Sequence, residues 1–115
     1  MDTKTFYEII GSDGDKVLAR FMGKEAMVVR FLKKFLDDRN FEEGKQAIEE
    51  KDYKKLETAA HTLKGICGNL GLERLYGLSA DVVAEVRAGK GEEAEKKYGE
   101  LEEEYKKITA LISQM

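Results

Sequence analysis

The 115-residue sequence has no proline, no tryptophan and a single cysteine. Without proline nothing forbids a helix outright, and punctuation falls to glycine and the small polar residues. One cysteine cannot form an intramolecular disulfide, so the sequence carries no mark of an oxidising compartment. Long apolar runs are missing too. None approaches the roughly 18 residues that span a bilayer, and the opening MDTKTFYEIIGSDGD lacks the basic start and apolar stretch of a secretory signal. A cytoplasmic protein without a membrane partner is expected. Nor is there an excess of positive charge: 20 Lys and Arg stand against 23 Asp and Glu, a net charge of -3 that offers no field for a phosphate backbone. Nucleic acid is not expected as a partner.

What is present favours helix. The chain is 42% hydrophobic and 37% charged and is rich in Ala, Leu, Glu and Lys, which lose little on entering a helix. Its length suits one domain with one core over residues 1–115. Breaks at GSDGD, MGKE, DDRNF, EKDY, NLGLE and AGKGEE predict five or six helices. A short one is expected near Asp15 to Met22, and a weaker one from Phe41 to Glu50. Four longer amphipathic segments run near Lys24 to Asp38, Tyr53 to Leu70, Glu73 to Arg87 and Glu92 to Ser113. Short connections between them imply an all-α fold, an antiparallel up-and-down four-helix bundle with one or two short accessory helices. The charged run EEAEKKYGELEEEYKK falls between the seam residues of the last helix and is a solvated face. GSDGD is a loop and helix start, since no bidentate Glu follows at the calcium-loop offset.

The one histidine lies in AAHTLKGICGNLG, residues 59–71, with three glycines after it. Each helical residue turns the side chain by about 100°. With Leu56 at zero, Tyr53, Ala60, Leu63, Cys67 and Leu70 lie within roughly 60° of it, as a core stripe does. His61 falls at about 140°, Gly68 at about 120°, Gly65 at about 180° and Lys64 at about 80°. His61 therefore faces away from the core. Two glycines each cost about 1 kcal/mol against alanine in a helix interior, so this face sacrifices stability to stay bare. An exposed imidazole with a cleared approach and a lysine one turn away suits nucleophilic attack on phosphorus. A metal is disfavoured: no carboxylate or second histidine shares that face at ligand spacing, and Cys67 points to the core. A serine triad is disfavoured as well, because Ser79 and Ser113 have no second histidine to serve them.

HTLKG followed by NLG resembles the histidine-containing phosphotransfer (HPt) domain of multistep phosphorelays. RFLKKFLDD before it and LERLYGLSADVVAEVRAGK after it extend the resemblance over nearly the whole chain. The resemblance implies a histidine phosphotransfer protein, a phosphoryl carrier without its own kinase or nucleotide site. It would take a phosphoryl group from a receiver aspartyl phosphate and pass it to another receiver. His61 is the implied phosphoacceptor and Lys64 the cation that holds the phosphoryl oxygens. Gly65 is the residue kept small for access, Gly68 extends that clearance by a turn, and Gly71 is the glycine at the helix end. The partners implied are receiver domains of response regulators and hybrid sensor kinases, and the protein is expected to be a monomer. No cofactor is implied, since no glycine-rich phosphate loop is present and Mg²⁺ would belong to the receiver. Docking is expected around His61 and on surplus apolar residues of the first helices, Phe21, Met22 and Met27. The initial Met and complete bundle suggest a free-standing module.

Three rival readings stand beside this one. The dimerising hairpin of a sensor kinase carries acidic residues beside its histidine, whereas Thr62 follows His61 here. The phosphoacceptor domain of a chemotaxis-type histidine kinase shares the bundle and differs in its donor. A binding-only helical adaptor would keep its affinity in His61→Gln.

Overall fold

The computed structural model describes residues 1–115, and it contains helices and turns without a strand. Seven helices follow one another: α1 (Thr3–Ile10), α2 (Gly14–Arg20), α3 (Glu25–Phe35), α4 (Asn40–Glu49), α5 (Tyr53–Asn69), α6 (Glu73–Arg87) and α7 (Gly91–Ile112). None is long and apolar enough to cross a membrane. Several begin where a short carboxylate can cap them. Asp2 accepts from the Thr5 N–H at 2.8 Å, Asp13 from Lys16 at 3.3 Å and Asp52 from Lys55 at 3.0 Å. Asp13 thus gives GSDGD the helix-start role expected of it.

The all-α bundle is as expected, but its membership differs in two places. Helix α1 is additional to the expected set; at eight residues it is shorter than the window over which a helical period is read, although Phe6, Tyr7 and Ile10 stand at that spacing. The segment expected to run from Lys24 to Asp38 stops at Phe35, and Asp38 turns the chain by accepting from the Asn40 N–H at 2.9 Å. The fourth place in the bundle goes to α4, which packs along α5, while α3 inserts Val28, Leu32 and Phe35 into the core from outside. The accessory helices are therefore three. α4 to α7 follow each other through three-residue connections at 50–52, 70–72 and 88–90, which makes successive helices antiparallel neighbours.

Why α4 looks weak in sequence is visible where it meets α7. Phe41 stacks on Tyr105 with centroids 4.1 Å apart and on Tyr98 at 5.5 Å, and the Tyr98 hydroxyl donates to the Phe41 carbonyl. Tyr98 fits because Gly44 is beneath it: a Cβ there would run into the Tyr98 hydroxyl and ring. The inward face of α4 is small so that α7 can supply the bulk. Burial raises the Tyr98 phenol, which stays protonated. Gly44→Ala is expected to destabilise by about 2–4 kcal/mol, through overpacking plus loss of a buried hydrogen bond, read from urea unfolding. At the other end of α4, Lys51 and Tyr53 both donate to Glu95, at 2.8 and 2.6 Å, and hold its carboxyl below the ordinary carboxylate range.

The C-terminus of α5 is closed by the N-terminal helices. The Tyr7 hydroxyl donates to the Leu70 carbonyl at 2.6 Å. Arg20 donates to the carbonyls of Gly68 and Asn69 at 2.7 and 3.0 Å, placing a cation at the negative end of the helix dipole. Gly71 follows with φ +68°, and a Cβ there would meet Val17 of α2. Both the left-handed turn and the close approach require glycine.

Candidate functional site

Helix α5 separates its residues as the projection expects. Leu56, Ala60, Leu63, Cys67 and Leu70 are buried, Tyr53 is half-buried, and His61 is exposed. Cys67 is inert in that position, since burial pushes its thiol up to about 12. His61 sits mid-helix, its backbone committed to the ladder, and its ring makes no hydrogen bond and no ion pair with any other residue. A rigid helix therefore holds an unsaturated imidazole to the outside.

The neighbours at 64, 65 and 68 differ from one another. Lys64 is half-buried and pairs with no carboxylate, although eight other Lys and Arg side chains do, so its ammonium is free for an anion. At Gly65 an added Cβ would have no atom within 4 Å, so the surface there is bare and a side chain would project into the approach path. Gly68 differs from the open clearance expected of it. The ring of Tyr76 on α6 stands over it, 3.2 Å from where a Cβ would be. Its glycine accommodates α6 at that point, and the approach to His61 is open chiefly at Gly65.

Two further residues, Glu57 and Arg87, stand near His61. Glu57, Thr58, His61, Thr62 and Arg87 line one shallow cleft of about 230 Å³, and the Arg87 Nε donates to a Glu57 carboxylate oxygen at 3.2 Å. Glu57, four residues before His61 and hence on nearly the same face, corrects the expectation that no carboxylate shares that face. Arg87 is not legible from spacing, because it depends on how the last turn of α6 aligns with the first turns of α5.

A larger apolar cleft of about 470 Å³ lies between α2, α3 and the end of α5. Phe21, Phe31, Ile66 and Leu70 line it together with Arg20 and Lys34. Of the surplus apolar residues, Phe21 enters this cleft, Met22 is 80% exposed beside it and Met27 is half-buried. Ile66, on the flank of α5 rather than in its core stripe, is half-buried in the same cleft. No three His, Cys, Asp or Glu side chains are grouped so as to hold a metal ion.

The arrangement combines a free imidazole, a free ammonium one turn on and a bare patch at Gly65 beside the imidazole, with an apolar cleft on the flank of the same helix. Such a surface can receive a phosphoryl group on nitrogen from a partner that comes close. No curated protein and no solved structure gave a match to the chain. The family model of the Hpt domain matches residues 30–111, from within α3 almost to the end of α7 and well over half of the chain. The histidine helix, its glycines, α4, α6 and all but the last residue of α7 fall inside the match, and the chain belongs to the Hpt domain family.

Proposed function

We propose that His61 is the phosphoacceptor of this Hpt domain, taking a phosphoryl group from a receiver aspartyl phosphate and passing it to another receiver. Family membership supplies the coarser part: Hpt domains are phosphocarriers with a histidine phosphotransfer role in phosphorelay, and receiver domains are their partners. The assignment to His61 rests on one observation above the rest. The only imidazole in the chain is exposed and unpartnered, four residues before a glycine with nothing within 4 Å of its missing side chain.

In the transfer, the unprotonated ring nitrogen forms a bond to phosphorus as the bond from phosphorus to the aspartyl oxygen breaks. The bonding pair leaves on the aspartate carboxylate, and the other ring nitrogen keeps its proton. Negative charge is spread over the three phosphoryl oxygens in the transition state, where a nearby cation is most effective. Lys64 is the residue for that role. Mg²⁺ belongs to the receiver's acidic pocket, and this chain brings no cofactor to the reaction. The receiver closes over Gly65, and the cleft lined by Phe21, Phe31 and Ile66 extends the contact surface on one flank.

The direct test is incubation with receiver domains charged on aspartate. Acid-labile, base-stable label is expected on this chain, and its absence with every receiver of the same genome would overturn the relay role. For Lys64→Ala, transfer is expected to slow about tenfold, equivalent to about 1.4 kcal/mol of lost transition-state stabilisation. Circular dichroism should show the helical fold of that variant intact, because the lysine has no partner to lose.

A further inference from the structure

We propose that Tyr76 is an aromatic anchor on which the receiver domain docks, seated beside the face of His61 by the glycine at 68. The proposal rests on the phosphoacceptor role of His61 and deepens it by naming a residue that holds the partner and takes no part in the chemistry. Gly68 is two turns beyond His61 and within about 20° of it around the helix, and the Tyr76 ring stands over it, 3.2 Å from where a Cβ would be. Two unfavourable features therefore occur together, a glycine in a helix interior and an aromatic side chain left 42% exposed. Tyr76 is the only large apolar residue of α4 to α7 exposed to this degree; the others lie in the first 36 residues. The hydroxyls of Tyr7, Tyr53 and Tyr98 each donate within the protein, and that of Tyr76 does not. The fold seats this ring without covering it, and a cover is what a partner supplies.

Distance and composition decide which partner. Even a small transient interface, about 500 Å² on each side, is a disc of roughly 13 Å radius, whereas Gly68 is about 10 Å along the helix axis from His61. A receiver centred on the imidazole, where its aspartyl phosphate must arrive, therefore spans the ring. Toward the start of α5 the surface beside His61 is polar, lined by Glu57, Thr58, Thr62 and Arg87. Toward the end of α5 it turns apolar, with Phe21, Phe31 and Ile66 on one flank and Tyr76 on the other, and Arg20 lines both clefts. The core of an interface is the apolar part of its footprint, so the receiver leans toward that end. Together with Arg20, Gly68 and Glu73 the ring lines a cleft of about 320 Å³, room for one apolar side chain of the receiver to lie against its face.

Two donors separate docking from chemistry. With the receiver domain that labels this chain, charged on aspartate, the single-turnover rate of transfer is followed against receiver concentration. In Tyr76→Ala the half-saturating concentration is expected to rise about tenfold, while the limiting rate stays within about twofold of the parent. Tyr76→Phe keeps the ring, and its half-saturating concentration should stay within about threefold. Phosphoramidate needs no docking surface: an imidazole nitrogen of His61 forms the bond to phosphorus, the phosphorus–nitrogen bond of the donor breaks, and ammonia leaves with its electron pair. Charging by it should stay within about twofold of the parent in both variants. An unchanged half-saturating concentration in Tyr76→Ala would overturn the proposal and leave His61 as phosphoacceptor. So would an equal loss with both donors, which is the result of a ring that only supports the fold, or a loss in Tyr76→Phe as large as in Tyr76→Ala. Self-association of the parent that disappears in Tyr76→Ala while transfer is unchanged would assign the ring to a second copy of the chain instead. Failure of the unmodified protein to take label from either donor would overturn the phosphoacceptor role as well.

Discussion

His61→Gln is expected to remove all acid-labile label from the protein and to leave its stability within about 0.5 kcal/mol of the parent. Glutamine is of similar polarity, and the side chain it replaces is exposed and has no hydrogen-bond partner to lose. The amide nitrogen of glutamine has its lone pair delocalised into the carbonyl and is no nucleophile at neutral pH. Because the chain has no second histidine, no other imidazole can take over. The result is therefore close to binary. Label measured after charging with a receiver, alongside thermal melting, gives both halves, and label that persists in the variant would move the phosphoacceptor elsewhere. Label on the parent and its loss in the variant also separate a carrier from a binding-only adaptor, which would take no label in either form.

Gly65→Leu is expected to slow transfer from a receiver by about a hundredfold, or about 2.7 kcal/mol, while making the domain more stable. The two effects have one cause. No atom lies within 4 Å of the added Cβ and the position is exposed, so a side chain there extends outward. Replacing glycine with leucine in a helix interior gains on the order of 0.8 kcal/mol, enough to raise the melting temperature by a few degrees. The same empty space is where the partner's surface must come, and an isobutyl group there holds the reacting atoms apart. Phosphoramidate is small enough to pass, so charging by it should change by no more than about twofold. Equal losses with both donors would place the defect in the chemistry at His61 rather than in the approach of the receiver. Gly68 makes the contrast: a leucine there meets the Tyr76 ring first, and its gain in stability should be smaller than at Gly65.

Much of this was legible from residue spacing, because α5 is a long helix with both faces written in its own sequence. The positions of Leu56, Ala60, Leu63 and Cys67 fix the buried side, and His61 and Gly65 then face outward by geometry alone. Legibility ended wherever a feature depended on a second element. Gly68 reads as bare on α5, yet Tyr76 of α6 covers it. Arg87 reads as an ordinary basic residue at a helix end, and its place beside His61 follows only from the pairing of α5 with α6. The small inner face of α4 concealed a bundle helix, since Gly44 and Ala47 carry little hydrophobic signal until Tyr98 is seen filling the space they leave. α1 escapes notice through its length: Phe6, Tyr7 and Ile10 stand at helical spacing, but eight residues are fewer than the window over which a period can be read.

The hydrogen bonds from Tyr7 and Arg20 to the end of α5 also bear on where this domain can be cut. The family match begins at residue 30, so both donors, and Val17 against Gly71, lie outside it. A fragment trimmed to the matched region would keep the histidine and every motif residue around it. It would nevertheless leave three carbonyls at the end of the histidine helix without their side-chain donors and strip the apolar cover from Leu70. The unit that folds is larger than the unit that is recognised, and the first 29 residues are part of what makes the reactive helix rigid.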